Sequence, residues 1–226
     1  MERRLGKLLK RLLNIKRSWI DRCKEIDYME KRIYNVLDLF CGCGGLSKGF
    51  EMANYNIVLG VDFNEPALKT YKFNHKDSMT LCGDLSNSDT FDTIDSLIEG
   101  KPVDVIIGGP PCQGFSLTGP RNFDDERNKL YLAMIETVKR YSPKAFMIEN
   151  VPGMATLYKG EVKDEIIRRF TEMGYNVNCK ILCAADYGVP QMRKRLVFVG
   201  VKWIVAHYYY FAKFVKLCKF CAFCHI

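Results

Sequence analysis

The sequence lacks an export signal, a membrane-length aromatic tail, an internal repeat and any low-complexity tract, and each absence narrows the field. Leu8, Leu9, Leu12 and Leu13 are broken up by Lys10, Arg11 and Lys16, so no apolar signal core reads at the N-terminus. The ten cysteines are therefore expected as thiols in a cytoplasmic protein, not as a secreted disulfide framework. The aromatic stretch from Trp203 to Ala212 is uncharged for only ten residues, about half of what a membrane-spanning helix needs. No membrane association is expected.

What is present fits a folded domain. The 226 residues are 48% hydrophobic, 27% charged and 12% aromatic, enough apolar surface for a core and too much for a disordered chain. The formal net charge is +8, which suggests a polyanionic partner. Its distribution weakens that suggestion. Residues 1–32 carry eleven basic and five acidic side chains (+6) and residues 201–226 four lysines and no acid (+4), leaving 8 − 6 − 4 = −2 for residues 33–200. The chain thus divides into a basic N-terminal extension (1–32), a catalytic-type middle (33–200) and an aromatic and basic tail (201–226). Leu5, Leu8, Leu9, Leu12, Ile15 and Trp19 stand at helical spacing among Arg and Lys, a basic amphipathic helix. It reads as a solvated appendage, or as sequence ahead of a start at Met29, before it reads as a nucleic-acid contact.

From Ile33 onward short apolar runs alternate with helical patterns. Strands are predicted at 33–39, 57–61, 78–81, 103–107, 145–148, 177–182 and 196–201. Helices are predicted at 46–52, 66–73, 90–98, 128–141 and 161–173. This alternation predicts a doubly wound, mostly parallel α/β sheet of Rossmann-like type, with ligands at the carboxyl ends of its strands.

The chemistry-bearing residues fall at those ends. Asp38-Leu39-Phe40-Cys41-Gly42-Cys43-Gly44-Gly45 follows the first strand and opens a helix, a turn in which backbone N–H groups can approach a ligand. It is not the dinucleotide G-x-G-x-x-G fingerprint, because Ser47 stands where the third glycine belongs. Asp62 ends the second strand, where an acid can accept from two ribose hydroxyls, and Gly83-Asp84 ends the third. A ribose-type acid without a phosphate fingerprint favours a nucleoside cofactor.

Gly108-Gly109-Pro110-Pro111-Cys112-Gln113-Gly114-Phe115-Ser116 follows the fourth strand. Two prolines fix the backbone ahead of one thiol at the ligand edge, and sulfur is intrinsically nucleophilic. Most cysteines are simply small buried residues, a description that suits Cys23, Cys82, Cys179 and Cys183 better than Cys112. The polar segment 119–127 beyond it reads as a loop able to close over a site.

DLFCGCGG, GGPPCQGFS, Glu149-Asn150-Val151 and Gln191-Met192-Arg193-Lys194-Arg195 occur in an order and spacing that resembles the cytosine-5 DNA methyltransferases, over residues 36–200. The amino methyltransferases that act on adenine carry an aromatic residue after their Pro-Pro pair, and Cys112 argues against them. The resemblance implies the fold of S-adenosylmethionine-dependent methyltransferases and a catalytic set of Cys112, Glu149, Arg193 and Arg195. Cys112 would add to C6 of cytosine, Glu149 would supply a proton at N3, and the two arginines would line the base pocket. It implies S-adenosylmethionine as methyl donor. Phe40 would stack on its adenine, Gly42, Gly44 and Gly45 would admit its methionine end, Asp62 would hold the ribose and Asp84 the adenine amine. Phe63, Pro111 and Leu130 match further wall positions. The implied partner is double-stranded DNA with a flipped cytosine, in a restriction-modification setting.

The resemblance also exposes a gap. After Gly200 the family continues into a target-recognition domain and a last segment that completes the cofactor site, and the remaining 26 residues carry neither. The C-terminally truncated pattern predicts either the first chain of a split enzyme, completed by a second polypeptide, or an inactive fragment that binds only cofactor or a partner. Methylation of cytosine in RNA is a third reading, because the same motifs serve a transfer-RNA branch. Cys218, Cys221, Cys224 and His225 lie within eight residues, but half a finger without a fold around it predicts no metal site.

Overall fold

Val36 and Leu37 are adjacent and both fully buried, as are Ile106 and Ile107. That requires strands covered on both faces, the arrangement of a parallel sheet between helical layers. The computed structural model describes residues 32–111 and 129–203, and the described residues from Tyr34 onward belong to one compact unit. Its strands are β1 (Asn35–Leu39), β2 (Asn56–Asp62), β3 (Met79–Cys82), β4 (Val105–Gly108), β5 (Ala145–Asn150), β6 (Tyr175–Cys183) and β7 (Lys194–Lys202). They form one sheet in the order β3-β2-β1-β4-β5-β7-β6. The pairs β1–β2, β1–β4, β2–β3 and β4–β5 are parallel. β7 runs antiparallel to both its neighbours, β5 and β6. The expected mostly parallel α/β sheet is the one observed.

Among the described residues five helices cover it: α1 (Gly45–Met52), α2 (Glu65–Asn74), α3 (Ser88–Ile98), α4 (Lys129–Tyr141) and α5 (Glu161–Glu172). Side chains alternate across a strand, so each strand feeds two cores. Leu37, Leu39, Leu59, Ile106, Phe146 and Phe198 meet Ile94 of α3, Met134 of α4 and Phe170 of α5 on one face. Val36, Ile57, Val105, Ile107 and Met147 meet Phe50 of α1 and Leu68 and Tyr71 of α2 on the other. The helix starts are encoded locally. Asn64 accepts from Ala67 N at 3.0 Å ahead of α2, and Asn87 accepts from Asp89 N at 3.0 Å ahead of α3, each satisfying an orphan donor of the first turn.

Two expectations need correction. Three 3₁₀ turns, Pro152–Ala155, Leu157–Gly160 and Ala184–Tyr187, were not predicted; four residues are too short to show a period. Cys82 is exposed and Cys179 and Cys183 are half-buried, whereas Cys41 is the buried thiol. β3 and β6, which carry Cys82, Cys179 and Cys183, are the two edge strands. Cys23, Cys112, the amphipathic 3–20 segment, the 119–127 loop and the Cys218–His225 cluster lie outside the described residues. Among the described residues no helix is long and apolar enough to cross a membrane.

Candidate active site at the carboxyl edge of the sheet

Because β1 to β5 run in one direction, their carboxyl ends share one edge of the sheet. Phe40 to Gly45 follow β1, Asp62 and Phe63 end β2, Asp84 follows β3, Pro111 follows β4, and Glu149 lies near the end of β5. The reversed run of β7 delivers its first residues to the same edge, where Leu196 pairs with Asn150 and Val197 with Glu149. Arg193 and Arg195 thereby reach the edge that Glu149 occupies. Leu130 is half-buried near the start of α4 and Pro111 is exposed.

The turn after β1 is held by its neighbours. Phe40, Gly42 and Gly44 all have left-handed backbone, with φ of 55°, 52° and 92°. For Phe40 that conformation is strained by about 1–2 kcal/mol and is stabilised from outside, since Cys41 N donates to Val61 O at 3.1 Å. Asp62 is 9% exposed. Its Oδ2 accepts from Gly42 N and its Oδ1 from Asn64 N, both at 2.9 Å. The carboxylate is thus fixed in orientation while linking the β2 end to the turn. Beside it in sequence the Phe63 ring is 68% exposed, a flat apolar face at the mouth of the edge. Asp84 is exposed, with Oδ1 accepting from Ser86 N at 2.8 Å.

Beneath the turn lies a polar layer that the motifs do not include. Ser47 Oγ donates to Asp38 Oδ2 at 2.6 Å and stands 2.8 Å from the Tyr71 hydroxyl. Burial pushes the Asp38 carboxyl up to about 7, with the Ser47 hydrogen bond opposing, and raises the Tyr71 phenol. Asp38 Oδ1 is buried with no hydrogen-bond partner among the described residues. Gly60 makes room for this layer: a Cβ there would lie 2.5 Å from Tyr71 Cζ. His75 completes it from the C-cap of α2, with Nδ1 2.7 Å from Glu51 Oε1 and Nε2 3.0 Å from the Gly44 carbonyl.

The other half of the edge carries charge. Arg195 Nε forms an ion pair with Glu149 Oε1, both side chains being largely buried. Burial raises the Glu149 carboxyl, against the pull of Arg195 and Arg193, so it holds a proton more readily than an exposed glutamate. Arg193 is lowered by burial and by Arg195, and its Nε is buried with no hydrogen-bond partner among the described residues. Asn150, buried beside Glu149, donates from Nδ2 to Pro110 O at 2.9 Å and accepts at Oδ1 from Val151 N at 2.8 Å. It thereby ties the end of β5 to the Pro-Pro segment that leads to Cys112. No group of three or more metal-ligating side chains occurs among the described residues.

The family model described as C-5 cytosine-specific DNA methylase matches residues 34–207. The Type II methyltransferase M.DdeI of Desulfomicrobium norvegicum is 47% identical over 171 residues, which is 74% of this chain and 40% of that protein. The Type II methyltransferase M.AquIA of Picosynechococcus sp. is 35% identical over 182 residues, 76% of this chain and 72% of that protein. Among solved structures, a prophage-encoded DNA modification methyltransferase of E. coli superposes with a TM-score of 0.65 at 34% identity, covering 76% of this chain and 48% of that one. The chain therefore spans less than half the length of several relatives and most of the length of another.

Proposed function

The chain belongs to the C-5 cytosine-specific DNA methylase family, and from that premise we propose that it is the cofactor-binding and catalytic part of an enzyme that methylates C5 of cytosine in DNA. The reading is carried by one observation: a preordered glycine turn with its acid, and a buried Glu149–Arg195 pair, stand on one sheet edge.

The residues present fit S-adenosylmethionine. Asp62, pinned by two backbone N–H groups, retains lone pairs for a ribose diol, and the exposed Phe63 and the half-buried Phe40 offer apolar faces for adenine. Bound there, the sulfonium supplies an electrophilic methyl group.

The chain's own residues do the rest. The Cys112 thiolate forms a bond to C6 of a cytosine extruded from the duplex, at a cost on the order of a few kcal/mol for flipping. Electrons displaced toward N3 are met by the proton that Glu149 holds, which leaves C5 enamine-like and nucleophilic. S-adenosylmethionine held by Asp62, Phe40 and Phe63 would supply the methyl group that C5 accepts, with the thioether as leaving group. Loss of the C5 proton to a base then expels the thiolate and restores the ring. Arg195 orients Glu149, and the unpartnered Nε of Arg193 supplies a donor for the base or its phosphate. Asn150 fixes the Pro-Pro backbone that immediately precedes Cys112 in sequence.

A complementing polypeptide that supplies target recognition belongs to this reading. M.AquIA, of which this chain covers 72%, carries the Type II methyltransferase name at a comparable length. The test is covalent trapping. Duplex DNA containing 5-fluorocytosine, S-adenosylmethionine and a polypeptide supplying target recognition should yield an adduct that survives denaturation, and Cys112→Ser should yield none. Absence of an adduct with the unaltered chain overturns the reading.

A further inference from the structure

We infer that His75 is a positioning residue for the cofactor turn, an inference that rests on the proposed cofactor role of that turn. Its ring holds the Gly44 carbonyl, and through it the Gly42–Gly45 backbone, in the shape a ligand meets.

The ring is 2% exposed and is engaged at both nitrogens, by Glu51 Oε1 at 2.7 Å and Gly44 O at 3.0 Å. Both partners are acceptors. Each ring nitrogen thus stands within hydrogen-bond distance of an oxygen, one on α1 and one in the turn. Glu51 is anchored in turn, its Oε2 accepting from Lys48 Nζ at 3.3 Å. Tyr71, one helical turn earlier, packs on the imidazole with centroids 4.5 Å apart. The His75 backbone N–H donates to Tyr71 O at 2.8 Å, so the ring is placed by the end of α2.

The contact is steric as well as polar. Gly44 has φ of +92°, and a Cβ built there would lie 2.1 Å from His75 Nε2. The imidazole thus fills the volume that any other residue at 44 would need. Gly44 is also the N-cap of α1, where no side chain makes a capping hydrogen bond. Its carbonyl accepts both from Lys48 N at 2.9 Å, the first bond of the helix, and from His75. The start of α1 is therefore held by a side chain from α2, and a residue 31 positions away in sequence sets the shape of the turn.

The test uses the full chain and two readouts: amide hydrogen exchange of residues 41–47 without cofactor, and calorimetric titration with S-adenosylhomocysteine. His75→Phe keeps a ring against Tyr71 and removes both hydrogen bonds; His75→Gln keeps one donor. Melting curves verify that each variant folds. In His75→Phe, exchange of 41–47 should rise while the sheet strands stay protected. Affinity should fall about tenfold, the scale of losing one intramolecular hydrogen bond, with His75→Gln in between. A folded His75→Phe with unchanged exchange and affinity overturns the inference, as does an affinity loss that only tracks loss of protection throughout the sheet. If the unaltered chain binds no S-adenosylhomocysteine while His75→Phe still accelerates 41–47, the clamp stands and the cofactor reading falls.

Discussion

On the β1–β3 side of the edge, polar atoms are paired mostly within the region itself: Asp62 with Gly42 and Asn64, His75 with Gly44 and Glu51, Ser47 with Asp38. On the β4–β7 side, Arg193 keeps a buried Nε without a partner among the described residues, and Glu149 is a buried acid with a raised affinity for its proton. Pairing fixes geometry in advance of a ligand, whereas an unmet buried donor is a group whose hydrogen bond has yet to form. Under the proposed function, the preordered half is the one expected to bind cofactor and the other the one expected to react.

Glu149→Gln is the strongest way to break it. Turnover of the complemented enzyme should fall by about 10²–10⁴, the usual share of a positioned proton donor, with affinity for S-adenosylhomocysteine unchanged. A parallel loss of affinity would mean that the halves are not separable. Asp62→Ala is the reciprocal change. It removes two backbone anchors and the expected ribose contact, so cofactor affinity should drop about a hundredfold in calorimetry, while the pH dependence of the chemical step stays in place.

Asp38→Asn sharpens the binding half. The folded carboxyl holds its proton up to about 7, against 3.8 for an ordinary aspartate. Stability from this group is therefore full below about pH 4 and is lost as pH rises toward 7. The unaltered chain should lose about 1.4 kcal/mol per pH unit across that window relative to Asp38→Asn, read as the difference between their urea midpoints at pH 5 and pH 7. Parallel midpoints would mean that Asp38 ionises freely. Asn150→Ala should give the smallest effect, a several-fold fall in the rate of adduct formation at unchanged cofactor affinity, because two neutral hydrogen bonds to the Pro-Pro segment and Val151 are lost.

The strand positions were readable because a strand buried on both faces is a short apolar run whatever its neighbours. Glycines, prolines and single acids at the ends of those runs then marked the edge. The support layer was not readable. Tyr71 and His75 stand four apart on an amphipathic helix, a spacing that looks like core packing and a helix end, and nothing linear ties them to Gly44 or Ser47. The cysteines show the same limit. Whether a thiol in a strand is buried depends on which strands become edges, and the order β3-β2-β1-β4-β5-β7-β6 is a property of the sheet. That Arg195 meets Glu149 likewise follows from the reversal of β7, which its composition does not announce.

That reversal has a consequence for how the chain is routed. β7 is nine residues long, about 30 Å at the usual rise, and it ends at the floor of the sheet, where Lys202 N donates to Lys144 O and its ammonium bonds Ser142. Any polypeptide leaving β7 sets out from the side opposite the reacting groups and must climb the full height of the sheet to return. An interruption of the covalent chain at that point would sever nothing at the catalytic edge. One backward strand would make delivery of any further segment by a separate molecule geometrically undemanding.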